Sequence, residues 1–211
     1  MITLYTWKTP NGRKVPILLE ELGLRYEVKP VDILHDEQFK PEFLAVSPNN
    51  KIPAIVDHDA VGGPLTLFES GAILTYLAEK TGRFLAAEGH EKYRALEWLH
   101  WQIGGLGPML GQLGHFAVFT KEKQPTAIAR FTKETERLFG VLDRRLAESP
   151  YLAGESYSIA DIASYPWVMQ AEGHLREPLE PIIAQTPHVR AWIERLRVRP
   201  AVERGMRILE G

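Results

Sequence analysis

Two short segments carry residue types that can hold a small polar ligand. Ile52-Pro53-Ala54-Ile55-Val56 is apolar and β-branched, the pattern of a short buried strand. Pro53 has no N–H and can only begin such a strand or lie at an edge. With a cis Ile52–Pro53 bond, Ile52 turns its own N–H and C=O outward, where an extended peptide can dock as an added strand. The second segment is Glu69-Ser70, between the strand-like run Leu65–Phe68 and an amphipathic helical run over Ser70–Lys80. Free N–H groups at a helix start bind a carboxylate, and Glu69 can hold an ammonium beside it. Together the two devices suit a ligand with a free α-amino-acid end and an extended peptide body, and glutathione is such a ligand. The chain has no cysteine. Disulfides, Cys-x-x-Cys pairs and cysteine nucleophiles are therefore excluded, and any sulfur chemistry uses sulfur that arrives as a ligand.

The elements that must position these residues fall into two regimes. From 1 to 80, strand-like and helical runs alternate: a strand over Ile2–Thr6, a helix over Arg13–Leu22 closed by Gly23, a strand over Tyr26–Asp32 and a short helix over Glu37–Leu44. Strands over Ile52–Asp57 and Leu65–Phe68 follow, joined through Gly62-Gly63-Pro64, a hairpin signal. The order βαβ, α, ββα is that of a thioredoxin-like domain, and its βαβ unit implies a parallel pair with a right-handed crossover. Thr81–Gly89 reads as a linker. Beyond it only helical periods occur: Glu91–Leu113, Pro125–Leu146, Ser158–Gln170 and Pro187–Leu196, with Pro200 stopping the last. The expected fold is α/β plus all-α, with a thioredoxin-like domain over 1–80 and an all-helical domain over 88–211.

A length of 211 residues allows one large domain or two small ones. A hydrophobic share of 45% can fill a core, and a net charge of -2 offers no general attraction to nucleic acid or anionic membrane. Met1–Thr6 reads as a strand with no basic region, and no apolar run approaches the roughly 20 residues of a membrane span. A cytoplasmic protein is expected, with neither nucleic acid nor membrane as partner.

Other residues admit two readings each. Thr9-Pro10-Asn11-Gly12 suits a turn with an N-cap, and its hydroxyl and amide also suit donation to a thiolate near a helix N-terminus. Tyr5 is a strand-face tyrosine or a thiol activator. Gly104-Gly105-Leu106-Gly107-Pro108 looks like a phosphate loop, but follows a helix and lacks a Gly-Lys-Ser/Thr ending, which favours a kink or close helix packing. Ser158-x-x-Asp161 is a capping signal. The 7 histidines show no metal-ligand spacing, so no metal is expected.

On Thr9–Gly12, Ser47–Pro53, Phe68–Gly71, Ser158–Asp161 and the run Gly104–Gln112, the chain resembles the glutathione transferases, and within them the bacterial nu class. That resemblance implies glutathione as a substrate and reduction of a disulfide by its thiolate. It also implies a homodimer. Thr9 and Asn11 then lie near the sulfur, while Ile52, Pro53, Glu69 and Ser70 hold the peptide. Lys51 lies near the glycine carboxylate, or is merely solvated. Gln38 touches glutathione, or is a surface residue. Arg130 reaches the other subunit's site, or is a surface cation. Gln102 and His115 line the second-substrate side, or are structural. Conjugation to an electrophile, with Trp7, Phe116 and Phe119 building an apolar pocket, and non-catalytic glutathione binding remain as alternatives.

Overall fold

The structure, a computed structural model, describes residues 1–210 of the chain. It divides into two compact units: Met1–Arg83 together with the segment from Val198 onward, and Phe84–Arg197.

In the first unit the apolar run Ile2–Thr6 forms β1, almost wholly buried. It is followed by α1 (Pro10–Leu22) and β2 (Tyr26–Pro30). A short helix α2 (Pro41–Leu44), β3 (Ala54–Asp57), β4 (Leu65–Phe68) and α3 (Ser70–Thr81) complete the thioredoxin-like arrangement. The sheet order is β2-β1-β3-β4, with β1 and β2 parallel and the other pairs antiparallel. In this register Thr6 pairs with Pro30, Tyr5 with Ala54, and Ala54 with Phe68. The ends of β1, β2 and β4 and the beginning of β3 therefore lie at one end of the sheet. At the opposite end, buried Asp57 accepts from Tyr76 Oη at 2.8 Å and from Lys80 Nζ, which anchors the far half of α3.

Prolines set two boundaries that periodicity alone places differently. The strand expected to reach Asp32 stops at Pro30, and Asp32 caps a 3-10 turn over Ile33–His35 by accepting from Leu34 N at 2.9 Å. The helix expected over Glu37–Leu44 is a 3-10 turn (Glu37–Phe39) followed by α2, because Pro41 cannot continue a helix from Phe39 but can start one.

The helical domain expected over 88–211 needs one correction, since its last segment belongs to the first unit. There α10 (Pro200–Met206) packs on α1 at backbone contact. A Cβ at Gly205 would lie 2.5 Å from Ile17 Cα and N, so only glycine permits the approach. Arg199 clamps Glu21 with two bonds of 2.6 and 2.9 Å, and Arg204 bonds Glu20 at 2.6 Å.

The second unit contains α4 (Gly89–Trp101), α5 (Gly107–Gly114), α6 (Pro125–Glu148), α7 (Ile159–Val168), α8 (Arg176–Ala184) and α9 (Pro187–Arg197). The single helix expected over Glu91–Leu113 is divided by a π-helical turn at Gln102–Leu106, and a second π turn at His115–Phe119 ends α5. The glycine run is thus helical throughout and forms no phosphate loop. At the head of α7 the capping box is complete, with Ser158 Oγ accepting from Ala160 N and Asp161 accepting from Ser158 N. Among the described residues no helix is long and apolar enough to cross a membrane.

Candidate active site

The turn from β1 into α1 is held by the chemistry of its own residues. Pro16, inside α1, has no N–H, so the Gly12 carbonyl one turn earlier loses its helical donor. The buried Thr6 hydroxyl takes that place and donates to Gly12 O at 2.7 Å. Gly12 N donates to Thr9 Oγ1 at 3.0 Å, and Thr9 is extended (φ -113, ψ 162), as an N-cap should be. The chain is drawn so tightly that a Cβ on residue 12 would sit 2.0 Å from Trp7 O. The two readings of Thr9 are compatible, because a hydroxyl oxygen that accepts from Gly12 retains its hydrogen to donate elsewhere. Asn11, half-buried, follows on the first turn of α1. Tyr5 packs on Phe43 with ring centroids 6.1 Å apart and lies under Lys29 Nζ at 5.7 Å, the setting of a strand-face tyrosine.

The second segment reaches the same sheet end. The Ile52–Pro53 peptide bond is cis. Ser47 Oγ donates to Lys51 O at 2.8 Å and fixes the approach to it. Ile52 packs its side chain on the small cluster of Val31, Phe43 and Ala54, while its backbone precedes the β3 ladder. Lys51 is exposed. Gln38, on the 3-10 turn after β2, holds a buried Oε1 with no hydrogen-bond partner among the described residues.

The third segment heads α3. Glu69 sits at φ 72 and ψ 112, a region non-glycine residues rarely enter, and its carboxylate makes no capping bond to its own helix. The carboxylate is thereby left exposed, while Ser70 and Gly71 beside it are buried. Behind Ser70 lies Lys14 of α1, 1% exposed, with Nζ 3.4 Å from Ser70 Oγ. Burial lowers the Lys14 amine to about 7, against the pull of the Glu69 charge. Lys14 is absent from the residues that sequence reading singles out. The signal is its place one turn before Ile17 and Leu18, both fully buried, which puts it on the apolar face of α1.

The structure thus brings Thr9, Asn11, Gln38, Lys51, Ile52, Pro53, Glu69 and Ser70 to the elements that leave or enter one end of a single sheet. Arg130 lies in the other unit, exposed on α6, where the Glu134 carboxyl is held low chiefly by its bond from Arg137 and to a lesser degree by the Arg130 charge. Gln102 is wholly buried in the π turn, a structural position, and exposed His115 meets Phe116 edge-on at 4.9 Å. A separate shallow cleft of about 270 Å³ in the first unit is lined by Tyr5, Lys29, Glu37, Lys40 and Phe43 and includes none of the expected ligand residues. Among the described residues no group of acidic or histidine side chains could hold a metal.

Residues 1–79 match the glutathione S-transferase N-terminal domain, and 125–195 match a glutathione S-transferase C-terminal domain. The disulfide-bond oxidoreductase YfcG of Escherichia coli K12 is 54% identical over 203 residues, covering 95% of this chain and 92% of its own. A glutathione transferase family member from Pseudomonas fluorescens, solved with two glutathione bound, superposes with a TM-score of 0.93 at 47% identity, covering 97% of this chain and 92% of its own. A glutathione transferase from Pseudomonas putida, with one glutathione disulfide bound per subunit, gives a TM-score of 0.93 at 44% identity over 99% of this chain and 91% of its own. Sheet order, the capped turn at Thr9 and this near full-length likeness converge: the chain belongs to the glutathione S-transferase family.

Proposed function

We propose that the protein is a glutathione-dependent disulfide-bond reductase of the nu type, acting in a reducing compartment such as the cytoplasm. The observation that carries this reading is the Thr9 turn. A hydroxyl with a hydrogen to spare stands at a helix N-terminus in a chain without cysteine, and Tyr5 is engaged with Phe43 and Lys29. The name borne by the Escherichia coli relative and the glutathione disulfide in the Pseudomonas putida structure support the same chemistry. Ile52 pairs with the peptide body, and the start of α3 with Ser70 receives the α-carboxylate. Glu69 faces the α-ammonium, and Gln38 and Lys51 flank the glycine end. Thr9 and Asn11 donate to the thiolate. That thiolate attacks one sulfur of the substrate disulfide, forming a mixed disulfide and releasing the other half as a thiolate. A second glutathione thiolate attacks the mixed disulfide, giving glutathione disulfide and the second substrate thiol. The protein supplies no redox atom. It keeps the attacking sulfur ionised and aligned.

The test compares two rates in one preparation, reduction of a small mixed disulfide and conjugation to a chlorodinitrobenzene-type acceptor. Reduction should be the faster, and a Thr9→Ala/Asn11→Ala double variant should lower it roughly ten- to a hundredfold, the loss expected for hydrogen bonds to a charged group. Faster conjugation would move the assignment to a conjugating transferase. Full activity in the double variant would locate the sulfur elsewhere.

The same proposal includes a symmetric homodimer. Leu34 and Phe39, 79% and 54% exposed beside β2, are apolar side chains of the kind two-fold interfaces bury. Arg130 then reaches the ligand held by the neighbouring subunit. Sedimentation should give a dimer, and Arg130→Ala should remain dimeric while its glutathione affinity drops. An active monomer would refute the shared site.

A further inference from the structure

We propose that Lys14 is a positioning residue for the α-carboxylate end of the ligand, acting through Ser70 from behind the start of α3. The inference rests on the glutathione reading above and deepens it. Lys14 is 1% exposed and its Nζ lies 3.4 Å from Ser70 Oγ. An ammonium can only donate, so Ser70 Oγ accepts from it and its own hydrogen is turned away from Lys14. The N–H groups of Ser70 and Gly71 stand at the same helix start, where the Glu69 side chain makes no capping bond. A carboxylate arriving there meets a hydroxyl already oriented, a helix N-terminus and a full positive charge behind both.

The charges around Lys14 make this end of the ligand a proton-linked site. From α3, Glu69 acts on it and favours the ammonium. At the start of α10 and within it, Arg199 and Arg204 are engaged by Glu21 and Glu20, about two turns further along α1. On α1 itself, Arg13 pairs with Glu210. Burial outweighs Glu69 and brings the amine to about 7. A bound carboxylate favours the ammonium and raises that value, so binding above pH 7 takes up a proton at Lys14. The sign follows: affinity is greatest where Lys14 is already protonated and falls as pH rises above its free-state value.

S-methylglutathione is the probe, because it has no thiol whose ionisation would release a proton. Titration calorimetry at pH 7.5, in two buffers of different ionisation enthalpy, reads proton uptake directly. Wild type should take up roughly half a proton or more per site, given an amine near 7 that is raised on binding. Lys14→Met should show far less uptake and bind on the order of tenfold more weakly. In wild type, an analogue with the γ-glutamyl α-carboxylate converted to its amide should also take up far less, so the result does not depend on the variant's folding. Binding by wild type with no uptake, and with Lys14→Met equal in affinity, would overturn the role of Lys14 and leave the glutathione reading standing. No binding of S-methylglutathione to wild type would overturn both.

Discussion

A Gly12→Ala variant is expected to lose most of its activity together with about 3 kcal/mol or more of stability, at or beyond the upper end of ordinary overpacking. The added methyl would lie 2.0 Å from Trp7 O and 2.8 Å from Thr6 Oγ1. Both neighbours are held: Trp7 O accepts from Thr9 N at 2.7 Å, and Thr6 Oγ1 bonds Gly12 O. Relief therefore requires the turn to open. Opening separates Thr6 from Gly12 O, a carbonyl that Pro16 has already deprived of its helical donor. It also moves Thr9 and Asn11, so stability and turnover should fall together. Urea unfolding and the glutathione-dependent reductase rate measure the two losses. Wild-type values for both would mean the turn yields without cost.

Asp161→Ala should be the most destabilising substitution in the helical unit. One Asp161 oxygen accepts from Leu152 N at 3.0 Å and Trp192 Nε1 at 2.9 Å, and the other from Ser158 N and Oγ, each at 3.1 Å. Burial pushes this carboxyl up, and the donors around it oppose the shift. Removing the acceptor strands four buried donors at about 1–3 kcal/mol each, so a loss of roughly 4 kcal/mol or more is expected. Trp192 is itself completely buried, and urea unfolding followed by far-ultraviolet circular dichroism measures the loss. A midpoint within experimental error of wild type would show that those donors find other partners.

What could be read from the chain before the structure was local. The Gly23 stop of α1, at φ 67, and the Ser158–Asp161 box are decided by a few neighbouring residues, and the residue types alone reveal them. The same holds for the Thr9 cap. What escaped depends on distant partners or on conflicting local signals. α8 carries Pro178 in its first turn and Pro181 within, which hides its helical period. The first π turn lies in a glycine run that ends at Pro108, whose missing N–H leaves the Gly104 carbonyl without its α-helical donor, and the second follows Gly114 with no proline to mark it. Lys14 looks like a solvated cation until α3 lays Ser70 over it. The ligand roles proposed for Gln38, Lys51 and Arg130 rest on family resemblance, since no rule of propensity or patterning distinguishes them from surface polar residues.

Because α10 completes the first unit, the thioredoxin-like domain is discontinuous in the chain. Its sheet, α1 and α3 are encoded before residue 84, yet the helix that lays Gly205 on Ile17 is encoded more than a hundred positions later. During synthesis at about 5–20 residues per second, the earlier part must wait on the order of ten seconds with that face of α1 unprotected. Over this interval Ile17 and its neighbours are open to chaperones, proteases or a premature partner. Order of manufacture and order of folding are thus separated, and the thioredoxin-like unit is finished only after the helical unit has been made.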